Sequence, residues 1–349
     1  MSDLPPIDAE YLLRILVDLL NTPSPTGFAA NAIEFVEGTM KDFSFLSISQ
    51  TRKGALIATW DGAENDSPRG LTAHTDTLGA MVKEIISNGR LKMTRIGGFA
   101  WNTVEGEGCT VFTSQGESFR GSILLTKASG HVHGKQVNDL KRDDDNMEVR
   151  LDARTMDADQ TRDLGIQVGD FVVFDPRVEV VNGFIRSRHL DDKACVASIC
   201  AAIKSIHEAG LQPAQTTTFH ISNYEEVGHG AASGFPANLA ELVAVDMAAV
   251  GEGQTSDEFH ATLCVKDSGG PYHHGLNKKM RQLAEDFQIP HKVDIYPYYG
   301  SDGEAYWRAG GDVAVALIGP GVDASHNYER THMEALIATT QWLIAYLLS

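Results

Sequence analysis

Between about Leu78 and Val180 the chain loses helical periodicity almost entirely, while on both sides of that span helices and strands alternate. GRLKMTRIGG, CTVFTS, ESFRGSILLT, NMEVRLDA and DFVVFDP are short strand-like runs separated by glycine or polar turns, the texture of a small β-barrel or sandwich. Ahead of them stand the helical pattern FAANAIEFVEGTM and the strands FLSISQT, GALIATW and RGLTAHTD. After them come a helix rich in small residues, DDKACVASICAAIKSIHEAG, then TTTFHISNYEE, ELVAVDMAAV, LNKKMRQLAEDF, DVAVALIGP and a last helix. Such alternation implies an α/β layered sheet with helices on both faces, because each amphipathic helix must cover a sheet. The expected architecture is one α/β domain over 1–77 and 181–349, interrupted by an inserted small β-barrel domain over 78–180. A chain of 349 residues is long enough for both.

Charge and cysteine usage narrow the partners. A formal net charge of -18 and a pI near 5.1 argue against nucleic acid and against an anionic membrane surface. Leu12, Leu13, Ile15, Leu16, Leu19 and Leu20 recur at helical spacing without a basic leader, which predicts a core helix and no signal peptide. No window has the apolar length needed to span a bilayer. Cys109, Cys195, Cys200 and Cys264 form no CxxC pair and are expected to be reduced and mostly buried, so a cytoplasmic location is expected.

The chemistry-bearing residues gather where strands end. In RGLTAHTD, a period of two puts His74 and Asp76 on one face, where Asp76 could hydrogen-bond the far nitrogen of His74 and fix a metal-binding tautomer. Asp191 and Asp192 stand at the mouth of a helix, which suits either N-terminal capping or metal ligation. FHISNYEEVG sets Glu225 and Glu226 at the end of an apolar run; alone, this could be a charged strand end dissolving into a turn. Asp246 ends the apolar strand ELVAV, and His326 and His332 follow DVAVALI. Together these residues lie at or just beyond the ends of successive α/β strands, the edge where active sites collect. Imidazole and carboxylate without thiolate suit zinc, cobalt or manganese, and a shared Asp would give a two-metal centre about 3.5–4 Å across. One glutamate would then bind metal while its neighbour stays free to take a proton.

The ordered set AHTD, LDD, EEVG, AVDMA and a late His, with a β insert between the first two, resembles the glutamyl-aminopeptidase and tetrahedral (TET) deblocking aminopeptidase family, family forty-two of the metallopeptidases. The resemblance covers nearly the whole chain, including RLKMTRIGGFAWNT, RGSILL and RDLGIQVGDFVVF, which correspond to that family's dimerising β domain. It implies two divalent ions per subunit, zinc first and cobalt or manganese as alternatives. His74, Asp191 and Asp246 would hold one ion, Asp191 would bridge, and Glu226 with the late His would hold the other. Glu225 would be the general base and Asp76 the acid orienting His74, with no ligand role for Asp192. GSDGEAY (300–306) matches a segment near the family's substrate pocket, although a plain turn explains it equally well. DASHNYERTH and LLTKASGHVHG depart from the family pattern, which leaves substrate preference and assembly size open.

Thr331 and Glu334 have the spacing of a capping box, which places the start of the last helix at His332. His326 then lies in the loop past the strand end and is the expected ligand, with His332 in the first helical turn facing substrate or supporting the ligands. The implied function is a metal-dependent aminopeptidase acting on short peptides and assembling as a homo-oligomer, from dimer to dodecamer. The alternative on the same centre is a carboxypeptidase or N-acyl deacylase, with Arg186 or Arg188 clamping a substrate carboxylate. A remoter alternative is a non-catalytic assembly protein.

Overall fold

The computed structural model describes residues 4–349 and divides into two compact units, residues 77–176 and the rest of the chain. The larger unit opens with helices α1 (Ala9–Leu20) and α2 (Ala30–Lys41). Asp8 caps α1 by accepting from the Tyr11 amide at 2.9 Å. Leu12, Ile15, Leu16, Leu19 and Leu20 form its buried stripe, as a 3.6-residue period requires. Strands β1 (Ser47–Gln50), β2 (Leu56–Trp60) and β3 (Glu64–His74) follow. The second half of β3 is buried without alternation, the pattern of a strand covered on both faces.

Residues 77–176 make a closed antiparallel barrel from β4 (Gly79–Ile85), β5 (Leu91–Ile96), β6 (Gly108–Phe112), β7 (Ser118–Leu125), β8 (Met147–Leu151) and β9 (Phe171–Phe174), in the order β4-β5-β8-β7-β6-β9. Short helices α3 (Gly130–His133), α4 (Gln136–Asp139) and α5 (Ala158–Asp163) interrupt it. The barrel has its own apolar filling, including Val82, Met93, Val111, Ile123 and Val149. Closure leaves no unpaired edge, which suits strands this short.

The chain then returns to the larger unit through β10 (Glu179–Val181), β11 (Phe184–Ser187), α6 (Leu190–Glu208), β12 (Gln215–Ser222), β13 (Glu241–Val245) and β14 (Ala248–Val250). It ends with β15 (Ala261–Lys266), α7 (His274–Asp286), β16 (His291–Ile295), α8 (Asp302–Arg308), β17 (Ala314–Asp323), β18 (Glu329–His332) and α9 (Met333–Leu348). Glu179 pairs with Arg186 in the β10–β11 hairpin, so residues 177–180, assigned from sequence to the insert, belong to the larger unit. Its sheet runs β1-β2-β12-β3-β13-β17-β18-β11-β10, with β14 and β15 also on β17 and β16 on β15. The neighbours β12, β3, β13 and β17 are parallel, so their C-terminal ends emerge along one edge. Ser222 is level with His74, and Val245 with Ile318.

Helix α6 packs on this sheet and on α1 and α9; Cys195, Val196, Ile199 and Ile203 share the core of the sheet, while the small residues Ala194, Ala197 and Ala201 are buried with α1. Trp342 of α9 is fully buried and donates its indole N–H to the Met280 carbonyl at 2.9 Å, tying α9 to α7. All four cysteines are buried and free. Among the described residues no helix is long and apolar enough to cross a membrane. Trp342→Ala should lower stability by about 3–5 kcal/mol, the range for deleting a large buried aromatic. A urea denaturation series followed by circular dichroism checks this, with Trp342→Phe expected to fall between the two.

Candidate metal centre

His74 is the last residue of β3 and is almost fully buried. Its Nδ1 faces the Asp76 carbonyl at 2.8 Å, an arrangement that places the ring proton on Nδ1 and leaves Nε2 as a lone-pair donor. Nε2 points to Asp191 Oδ1 at 3.2 Å. The Asp76 carboxylate does not take the role expected of it. Its nearer oxygen is 3.6 Å from His74 Nδ1, and the carboxylate instead accepts from Thr26 Oγ1 at 2.6 Å and from the amides of Glu225 and Glu226 at 3.1 and 3.3 Å. β3 ends at His74, so strict alternation no longer fixes where the Asp76 side chain goes, and the free N–H groups of the turn after the neighbouring strand β12 capture it.

That turn is Glu225–Val227, a short 3₁₀ segment following β12. Tyr224 and Gly228 flank it in the left-handed region, with φ of 84° and 85°, so the chain leaves the strand direction and both glutamates swing toward the sheet edge. Asp191 and Asp192 precede the regular part of α6 with non-helical backbone angles, so they are not ordinary first-turn acids. Asp192 is fully buried and accepts from the His74 amide at 3.1 Å, which pins the end of β3. Asp246 follows β13, and its Oδ1 is buried with no hydrogen-bond partner.

These elements bring two sets of potential ligands together. His74, Asp191 and Asp246 form one set and Asp191, Glu226 and His326 the other, each with its ligand atoms within 4.8 Å of one another and with Asp191 common to both. His326 Nε2 lies 3.4 Å from Asp191 Oδ2 and 3.6 Å from Glu226 Oε2. Glu225 is in neither set, yet its Oε2 is 3.6 Å from His74 Nε2. Burial, and then the neighbouring carboxylates, push the Asp246 carboxyl up to about 7 and the Glu226 carboxyl up to about 8, against the pull of the imidazoles. Burial pushes Asp191 the same way, but the His326 and His74 imidazoles beside it hold it well below the usual carboxylate range. Like charges crowded at this density, with an orphaned Asp246 oxygen aimed among them, fit a divalent cation at each set. Nitrogen and oxygen ligands without thiolate suit zinc, cobalt or manganese.

The two late histidines are separated by the structure. His326 takes a left-handed conformation, φ 63°, and reaches the cluster. His332 does not: its ring packs against Phe184 and Phe259 at centroid distances of 4.8 and 5.1 Å, and its Nδ1 accepts from the Glu334 amide as the cap of α9. The expected Thr331 capping box is absent. Thr331 lies in β18, where its hydroxyl donates to the Gly321 carbonyl at 2.7 Å, and α9 begins at Met333. Strand pairing with β11 and the hydroxyl bond to β17 claimed the residue first.

Two acids escaped the sequence reading. Glu329 is buried, and its two oxygens accept from the amides of Asp191 and His326 at 3.1 and 3.0 Å, so one carboxylate sets the backbone of a residue from each ligand set. Its position three residues after His326 was the available signal. Asp302 accepts from Thr72, Ser222 and the Ala231 amide, joining β3, β12 and the following loop. Residues of the segment 298–308, among them Tyr299, Ser301 and Arg308, line a cavity of about 380 Å³ together with Asp191, Glu225, Glu226, Asp246 and His326. Neither arginine proposed as a carboxylate clamp is engaged there: Arg186 pairs with Glu179, and Arg188 is buried and donates to the Asn327 carbonyl.

The family model described as M42 glutamyl aminopeptidase matches residues 54–342. The YhfE protein of Bacillus subtilis is 47% identical over 338 residues, covering 97% of each chain. The lysyl aminopeptidase of Pyrococcus furiosus is 22% identical over 298 residues, 81% of each. Among solved structures, the TET1 peptidase of Pyrococcus horikoshii, described as assembling into a tetrahedron or a large octahedral shell, superposes with a TM-score of 0.83 at 22% identity, over 97% of this chain and 99% of that one.

Glu329→Gln replaces one acceptor with an amide N–H group facing a backbone N–H. It should weaken metal binding by about 10- to 100-fold, as is typical when the support of a ligand is lost. Chelator competition on the folded variant measures this, and unaltered affinity would show that Glu329 does not position the ligands.

Proposed function

Because the chain belongs to the M42 glutamyl aminopeptidase family, whose members are metal-dependent aminopeptidases, we propose that it removes N-terminal residues from short peptides at a two-metal centre with Glu225 as general base. The observation that carries this reading is the pair of ligand sets sharing Asp191, with Glu225 beside them and committed to neither. His74, Asp191 and Asp246 would hold one ion and Asp191, Glu226 and His326 the other. When bound, such a pair supplies Lewis acidity toward a water and toward the peptide carbonyl oxygen.

The chain's own groups supply the rest. Glu225 takes the proton of the attacking water and returns it to the leaving amine, a role that needs a carboxylate free of ligation and firmly placed. Its placement comes from the Asp76 carboxylate, which holds the Glu225 and Glu226 amides together, while the Asp76 backbone carbonyl faces His74 Nδ1. The substrate's amino terminus carries a positive charge and suits the acid-lined end of the cavity, which would restrict cleavage to the chain end. We further place the protein in the cytoplasm as a homo-oligomer assembled through its β-barrel. The free buried cysteines support the first, and the self-assembly described for the TET1 peptidase supports the second.

Exhaustive chelation should abolish hydrolysis of aminoacyl p-nitroanilides, and zinc, cobalt or manganese should restore it; full activity in the stripped protein would contradict the reading. Glu225→Gln should keep its metal content while kcat falls by about 10²- to 10⁴-fold. Glu226→Gln should lose metal. Elemental analysis of the two variants alongside kinetics checks the assignment, and the opposite pattern would exchange the two roles.

A further inference from the structure

A second cavity, of about 420 Å³, is lined by the end of β15, the turn after it and the first two turns of α7, and it shares no lining residue with the cavity at the metal centre. Its size suits a small molecule. Val265, Pro271 and Tyr272 supply apolar surface. His274, Asn277, Lys278 and Arg281 recur at i, i+3, i+4 and i+7, so one face of α7 supplies the rest. No acid lines this cavity, in a chain whose net charge is -18.

Two features of this face stand out from the surrounding surface. Among the described residues neither Lys278 nor Arg281 has an ion-pair partner, whereas Lys279 beside them lies 3.0 Å from Glu241. The first turn of α7 also holds no acid, so these cations stand near the positive end of the helix with nothing to offset them. Asn277 is only 6% exposed, and its Oδ1 is buried without a hydrogen-bond partner, although buried amide oxygens are normally paired. A solvated basic face would account for the lysine and arginine but not for the orphaned amide.

We propose that this cavity is a second binding site, separate from the metal centre, for a peptide-like carboxylate with an apolar side chain. The ligand's carboxylate is held by Lys278 and Arg281, the N–H beside it is donated to Asn277 Oδ1, and its apolar side chain covers Val265, Pro271 and Tyr272. Such a ligand is bound and not cleaved, because none of the candidate metal ligands lines this cavity. The site does not depend on the aminopeptidase reading. Its ligand has two possible sources, a single N-acylated amino acid or the C-terminus of a longer peptide.

Calorimetric titration of the metal-loaded protein with N-acetylphenylalanine tests this, beside three compounds that each lack one feature: its amide without the charge, 3-phenylpropionate without the N–H, and N-acetylglycine without the ring. N-acetylphenylalanine should bind once per chain, its amide and N-acetylglycine about 10-fold more weakly, and 3-phenylpropionate about 3-fold more weakly. Lys278 and Arg281 are exposed, so the double variant Lys278→Ala, Arg281→Ala should fold, and it should bind N-acetylphenylalanine about 10-fold more weakly. Asn277→Leu should erase the difference between N-acetylphenylalanine and 3-phenylpropionate. Exhaustive chelation should leave the affinity within about 2-fold, as expected of a site uncoupled from the ions. Tighter binding of N-acetyl-alanyl-phenylalanine assigns a peptide terminus, and equal binding assigns the single acylated residue; the blocked amino termini keep both intact. Absence of saturable binding, an affinity that survives in the double variant, or binding that disappears on chelation overturns the proposal.

Discussion

Crowding of buried carboxylates along one sheet edge is the constraint on which the site depends. Asp191, Glu225, Glu226 and Asp246 converge from α6, the turn after β12 and the end of β13. Left to themselves, acids so close and so dry would separate or protonate. The protein counters this with further acids whose partners are backbone N–H groups. Asp76 holds the amides of Glu225 and Glu226, Asp192 holds that of His74, and Glu329 holds those of Asp191 and His326. Each supporting acid fixes the backbone of a residue that belongs to the ligand cluster or stands beside it. In HTD, DD and HNYE a candidate ligand thus stands close in sequence to a supporting acid.

Much of this was legible in the sequence because it is periodic or local. The stripe of α1 and the short strands of the barrel follow from 3.6- and 2-residue patterns read directly. The sheet edge that gathers His74, the Glu225 turn and Asp246 follows from parallel β12, β3 and β13. His326 does lie in the loop after β17, although the capping box that pointed to it is absent and His332 caps α9 instead.

What sequence could not give was long-range. Thr331 has the spacing of a helix cap, yet its hydroxyl is claimed by Gly321 ten residues away. Asp76 has the spacing to reach His74, yet its carboxylate is taken by amides some 150 positions later in the chain. Glu329 and Asp302 sit in segments whose texture marks a turn, and their importance appears only when β3, α6 and the loop after β17 are assembled.

The chemistry of this edge turns on where the ions bind. The most direct measurement is anomalous diffraction at the zinc edge from crystals of the metal-loaded protein. The account predicts two peaks per chain, one among His74, Asp191 and Asp246 and one among Asp191, Glu226 and His326, with Glu225 coordinating neither. A single peak, a peak at His332, or Glu225 bonded directly to an ion would contradict it.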